Sequence, residues 1–134
     1  EVGGYLWTMK KISQTQPEIN SHFYSLLVPE EILHCFDIQK VVEQSELIII
    51  ELWESESANP SVLFGLDLVQ NGFMNYVELQ SFPVKGKACY LRLRRRRWKE
   101  KATGKGTYYN QYSYASEGTK ATKSFGSFLK SIGL

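Results

Sequence analysis

The sequence predicts an α+β fold with mostly antiparallel strands. Three observations carry that reading: two β-branched runs joined by a short polar link near residue 45, a clear strand signal from Ala88 to Trp98, and a helical apolar face near the C-terminus. At 134 residues, 43% apolar and 22% charged, with eight Tyr, seven Phe and three Trp, the composition is that of a folded domain.

The elements follow in order. Residues 1–18 are read as a flexible extension, within which Met9-Lys10-Lys11 resembles a bacterial initiation sequence. Apolar residues at Ile19, Phe23, Leu26, Leu27, Ile32, Leu33 and Phe36 have helical spacing. Pro29 followed by Glu30-Glu31 marks a fresh helix start, so two short helices with a break near Val28 are expected. Ile38–Val42 and Leu47–Trp53 flank Gln44-Ser45-Glu46 as a first hairpin. Ser55–Ser61 is a loop. Val62–Val69 is apolar and runs to Asn71-Gly72, a helix end or a turn. Phe73–Leu79 reads as a strand, closed by Phe82-Pro83 and Lys85-Gly86-Lys87.

Ala88–Trp98 is the clearest strand. A turn with Gly104 and Gly106 follows it, and Thr107–Tyr114 is expected to return as its antiparallel partner in a second hairpin. Ala121, Phe125, Phe128, Leu129 and Ile132 then form one helical face, with Gly133 beyond. The expected architecture is this C-terminal amphipathic helix packed on a basic three-stranded sheet. The chain divides into the extension, an acidic part (19–72) and a basic part (73–134), in one compact domain or two closely packed subdomains.

The net charge of +2 conceals a partition. Residues 1–81 hold three basic and twelve acidic side chains, a net of −9; residues 82–134 hold thirteen basic and two acidic, a net of +11. Such asymmetry points to an anionic partner for the basic part, unless the two parts simply neutralise each other. The acidic part is either a solubilising surface or the dock for a partner, a second copy or a catalytic subunit.

Alternation along the basic strand places Cys89, Leu91 and Leu93, then Arg95 and Arg97, on one face. Tyr90, Arg92, Arg94, Arg96 and Trp98 lie on the other. Same-face neighbours about 6.6–7 Å apart suit successive phosphates, and guanidinium groups clamp phosphate or read guanine. Lys99 extends the run, and Lys105 sits at the glycine-flanked tip. Tyr108, Asn110 and Tyr112 share a face of the returning segment and are suited to stacking, adenine contact and phosphate contact. The expected DNA contacts are therefore Arg92, Arg94, Arg95, Arg96, Arg97, Trp98, Lys99, Lys105, Tyr108, Asn110 and Tyr112. A guarded sheet edge requires fewer charges than four consecutive arginines. RNA or an acidic protein is the alternative partner for the same basic half.

Phe82-Pro83-Val84-Lys85-Gly86-Lys87, Tyr90-Leu91-Arg92-Leu93-Arg94-Arg95-Arg96-Arg97-Trp98 and Thr103-Gly104-Lys105 carry a resemblance. They resemble the N-terminal region of a family of bacterial insertion-sequence transposases common in Bacteroidetes. Leu27-Val28-Pro29-Glu30-Glu31-Ile32-Leu33 through Phe36, and Gly118-Thr119 through Phe125 and Phe128-Leu129, are also similar, so the resemblance spans about Asn20 to Lys130. It implies binding of double-stranded DNA at element ends, with the chemistry left to a separate DDE-type catalytic subunit.

The residues offer little for catalysis. His34 and Cys35 are adjacent on a predicted helix and point about 100° apart, a poor chelating pair. Cys89 lies on the apolar face, where a thiol packs rather than reacts. Glu43, Glu46, Glu51, Glu54 and Glu56 read as a solvated face. No phosphate-binding glycine loop occurs. The chain is read as a non-enzyme with no metal and no cofactor. With two unpatterned cysteines, a longest apolar run of Leu47–Ile50 and no apolar leader, a reduced, cytoplasmic, DNA-associated protein away from membranes is expected, with a second copy in a homodimer among its candidate partners.

Overall fold

The structure is a computed structural model describing residues 22–115 and 120–133. The expected extension over 1–18, the first residues of the expected helix from Ile19, and Gly118-Thr119 lie outside the described residues.

Residues 22–25 are helical, and a second short helix, α1 (Glu30–Leu33), starts behind Pro29 with both glutamates in its first turn. The break near Val28 is where the sequence placed it. The helical spacing ends sooner than Phe36, which opens strand β1 (Phe36–Glu43) and lies edge-on to Tyr112 and Tyr114. Strand β2 (Leu47–Glu54) completes the first hairpin, closed by Gln44 N–H on Leu47 C=O at 2.8 Å. β2 alternates without a fault: Ile48, Ile50, Leu52 and Glu54 are buried, and their neighbours are half-buried.

The chain next forms a 3₁₀ turn (Glu56–Ala58), a four-residue helix α2 (Ser61–Phe64), and strand β3 (Leu68–Phe73). The apolar stretch from Val62 therefore divides between helix and strand. Asn71-Gly72 is an irregularity inside β3 and not the end of an element. Strand β4 (Val77–Val84) starts four residues later than expected. A two-residue turn, Lys85 (φ 50°) and Gly86 (φ 79°), leads to β5 (Lys87–Arg94). Positive φ at both central residues is the turn geometry that matches strand twist in a tight hairpin.

Two sheets result. The larger has the order β1-β2-β5-β4, antiparallel except at its centre, where β2 and β5 run parallel from Leu47↔Ala88 to Trp53↔Arg94. The smaller pairs β3 with β6 (Arg96–Glu100), antiparallel. Strands from the acidic and basic parts are thus neighbours in both sheets. On the larger sheet, Ile48, Ile50, Leu52, Leu79, Cys89, Leu91 and Leu93 meet Phe36, Val28 and Ile32 in one core, with Tyr24, Leu27, Leu33, Tyr112 and Tyr114 around it. Each such aliphatic side chain stabilises the fold by about 1.5–3 kcal/mol on burial.

The single strand expected from Ala88 to Trp98 is two. At Arg95 the chain leaves the larger sheet: Arg95 C=O accepts from Met74 N–H (2.8 Å), and Arg96 N–H bonds the Glu54 carboxylate (2.9 Å). Those bonds turn the chain toward β3. Thr107–Tyr114 does not return as a strand. It pairs with β6 only at Tyr108, through reciprocal bonds with Trp98 of 2.8 and 2.9 Å. The Asn110 and Tyr112 side chains are instead drawn to the buried Glu54 carboxylate. The expected three-stranded basic sheet is therefore replaced: β5 finds its antiparallel partner in β4, before it in the chain, and β6 finds its partner in β3.

The C-terminal helix α3 (Lys123–Ser131) begins at Thr122, whose Oγ accepts from Phe125 N–H (3.2 Å). Its approach docks on the β4 edge, with Gln80 N–H on Lys120 C=O and Thr122 N–H on Gln80 C=O, both 2.9 Å. Phe125 is buried, and Phe82 of β4 meets Phe125 and Phe128 at 5.1 and 5.6 Å.

Candidate nucleic-acid interface

The arginine run lies across the junction between the sheets, and its members have different surroundings. Arg92 projects from the outer face of β5, where its Nε reaches Glu78 Oε2 at 3.1 Å in an exposed ion pair. The Arg94 guanidinium lies among three rings, 4.4 Å from Phe73, 5.1 Å from Tyr76 and 5.5 Å from Trp53. Arg96 approaches the same Phe73 at 5.3 Å. Arg95 donates from Nη1 to Asn110 C=O (2.9 Å) and sits over Tyr109 at 4.8 Å. Arg96 donates from Nε to Glu54 C=O and from Nη1 to Gln70 Oε1, both 2.7 Å. Arg97 donates from Nε to Asn71 C=O (2.7 Å) and lies along Gly72, where a Cβ would come within 3.0 Å of its Nη2.

The structure does not bring Arg92, Arg94, Arg96 and Trp98 onto one accessible face. Trp98, at the centre of β6, is buried at 5% exposure. Arg97 and Lys99, on either side of it, turn the other way. Tyr108 stacks edge-on to Phe64 at 5.0 Å beside Trp98. Asn110 donates from Nδ2 to Glu54 Oε2 (3.0 Å) and Ala58 C=O (2.6 Å). The Tyr112 hydroxyl bonds Glu54 Oε2 and its ring stacks on Tyr114. Burial first, then the Glu54 bond and charge, push the Tyr112 hydroxyl pKa well above the ordinary tyrosine value, so it stays a donor. The polar groups of Asn110 and Tyr112 are thus spent inside the molecule.

Glu54 is the residue that the sequence reading misplaced. Grouped there with a solvated face, it is fully buried. Its carboxylate accepts from Arg96 N–H, Asn110 Nδ2 and Tyr112 Oη, and it joins β2, β6 and the 107–115 segment. The parity of β2 held the signal, since Glu54 follows Ile48, Ile50 and Leu52 at steps of two.

At the far end of β6 the turn from Lys101 to Gly106 is closed by Gly104 N–H on Glu100 C=O (2.8 Å) and Glu100 N–H on Lys105 C=O (2.9 Å). Gly106 has φ 86°, and a Cβ there would meet the Tyr108 ring at 2.6 Å, so a side chain at this position is strained and displaces that ring. Lys101 and Lys105 are exposed and Lys99 half-exposed. Lys101 joins the set through its exposure; the sequence marked it only as part of a turn.

From Arg94 to Lys105 the chain carries seven cationic side chains and one acid, Glu100. Two ion pairs, Lys87–Glu43 at 2.7 Å and Arg92–Glu78, lie elsewhere. The arginine hydrogen bonds run to neutral carbonyl and amide oxygens. Such acceptors orient the Arg95, Arg96 and Arg97 guanidinium groups without cancelling their charge, so the junction keeps an excess of positive charge over the two acids set in it, Glu100 and the buried Glu54.

Cys89 is buried in the core, and burial pushes its thiol pKa up, away from the thiolate that reacts. Among the described residues no group of three or more His, Cys, Asp or Glu side chains is placed to hold a metal ion, and no helix is long and apolar enough to cross a membrane. No family model, curated protein or solved structure matches the chain.

Proposed function

We propose that this chain is a DNA-binding module of a transposase-like system, recognising element ends and leaving strand chemistry to a separate catalytic subunit. The observation that carries this reading is the excess of cations between Arg94 and Lys105, seven against the single acid Glu100 in the run, with Arg95, Arg96 and Arg97 oriented by neutral acceptors. Like charges held so close repel one another, and a polyanion relieves that repulsion while releasing its own counterions. Arg97, Lys99, Lys101 and Lys105 are the contact residues in this reading. Arg94, Arg95, Arg96, Trp98, Tyr108, Asn110 and Tyr112 support them from within, and Arg92 lies apart on the larger sheet.

The test is fluorescence anisotropy of the full chain on a random duplex and on inverted-repeat ends from its genomic surroundings, across a salt series. The expected result is end-selective binding that weakens with salt. K99Q/K101Q/K105Q flattens the log–log slope by about 0.9 for each phosphate no longer neutralised, roughly 2.7 in all. Salt-dependent binding without preference for the ends refutes end recognition. No binding at low salt refutes the nucleic-acid reading and favours an acidic protein partner; preference for RNA over duplex refutes the DNA assignment.

A further inference from the structure

Helix α2 presents three consecutive apolar side chains to solvent: Val62 is 94% exposed, Leu63 71% and Phe64 41%. Exposed apolar residues in succession are a liability unless a partner covers them. The tip is also rigidly built. Asn59 Oδ1 accepts from Ser61 N–H (2.9 Å) and Ser61 Oγ (2.7 Å), and Ser61 Oγ accepts from Leu68 N–H (3.0 Å). Asn110 Nδ2 holds the preceding Ala58 C=O, and Gly65, at φ 67°, ends the helix. These bonds brace the short helix from both sides, with Phe64 packed on Tyr108 and Val62 and Leu63 left in solvent.

Its position decides what covers it. α2 precedes β3 and the Lys101–Gly106 turn follows β6; β3 and β6 are antiparallel, so both emerge from the same end of the small sheet. Lys101 N–H bonds Asp67 C=O (2.9 Å), and Phe64 packs on Tyr108. An apolar point therefore stands at the same end of the small sheet as Lys99, Lys101 and Lys105, which outnumber the acids there, Asp67 and Glu100, and for which the described residues supply no ion pair. Two projecting aliphatic side chains are far smaller than a protein–protein interface, which covers about 800 Å² per partner. An apolar wedge flanked by lysines is instead the chemistry that unstacks a base step while the phosphates on either side are held.

We infer that Val62 and Leu63 form a wedge that enters a base step of bound duplex and kinks it. This rests on the DNA-binding reading above, and the experiment separates the two. Binding is followed by anisotropy, and bending by energy transfer between dyes at the ends of a short duplex, for the parent chain, V62S/L63S and the apolar variant V62L/L63M. Both positions are solvent-exposed, so unchanged circular dichroism is expected throughout. The expected result is a bent duplex with the parent and V62L/L63M. V62S/L63S gives no bend and binds about tenfold or more weakly, as expected for losing burial of two aliphatic groups. Binding without bending, or an equal bend with V62S/L63S, overturns the wedge and leaves DNA binding standing. No duplex binding at low salt overturns both. Capture of the parent, but not V62S/L63S, by phosphatidylserine vesicles without duplex bending assigns the tip to a lipid surface and overturns the wedge.

Discussion

Replacing Glu54 by alanine tests how the two sheets are joined. The buried carboxylate accepts from Arg96 N–H at 2.9 Å, Asn110 Nδ2 at 3.0 Å and the Tyr112 hydroxyl. A hydrogen bond to a charged acceptor contributes roughly 1.5–3 kcal/mol net. Asn110 keeps Ala58 C=O as a second acceptor, so its loss is partial, whereas the other two donors are left with none. Removal of the carboxylate also relieves its own desolvation, which offsets part of the loss. The net cost is about 3–5 kcal/mol, a large share of the 5–15 kcal/mol typical of a domain. At about 4 °C per kcal/mol, the melting temperature falls by roughly 12–20 °C. Glu54→Gln keeps the volume and one acceptor oxygen, and the Tyr112 hydroxyl can rotate to accept from the new amide. Its cost is about 1–2 kcal/mol. Urea unfolding followed by tryptophan fluorescence reads both, since Trp53 and Trp98 lie on the two strands that Glu54 connects. An E54A protein within about 1 kcal/mol of the parent would refute the reasoning.

Arg96→Ala removes two part-buried bonds of 2.7 Å and is expected to cost about 2–3 kcal/mol, whereas Arg92→Ala, in an exposed ion pair, costs under about 1 kcal/mol in the same urea assay. Gly106→Ala forces a Cβ against the Tyr108 ring at positive φ and is expected to cost about 1–3 kcal/mol by thermal melting; Gly65→Ala, with open space around it, costs about 1 kcal/mol. Unfolded chains release the tyrosine proton near pH 10, while folded Tyr112 holds it, so the folded state binds more protons there. Its contribution is complete below about pH 10 and is lost as pH rises further; Tyr112→Phe flattens that alkaline fall in urea midpoints, although Tyr24 and Tyr114, also raised, leave part of it. Leu91→Ala, at a fully buried position on a central strand, is expected to cost about 2–5 kcal/mol in the urea assay.

Local chemistry accounts for the elements that answer to period and punctuation. Pro29 with its glutamates started α1. The β-branched runs on either side of residue 45 made the first hairpin, and the odd parity of Cys89, Leu91 and Leu93 placed them in the core. Each depends on contacts within a few residues or on a burial period that any covering layer rewards. The charge partition was equally legible, since charge is a property of composition.

Which strand lies beside which was settled in three dimensions. The parallel pairing of β2 with β5 joins residues about forty apart and leaves no local mark, because a strand buried between two neighbours reads the same whichever neighbours it has. The division of the basic strand at Arg95 was hidden for the same reason. It follows from Glu54, a residue about forty positions earlier, which takes the Arg96 N–H and draws in Asn110 and Tyr112. A carboxylate looks alike in sequence whether water or three buried donors satisfy it. The order of residues suffices to show that this chain concentrates positive charge between Arg94 and Lys105. Which of those side chains hold the fold and which face outward depends on the folded chain, because hydrogen-bond partners are chosen in space and not along the sequence.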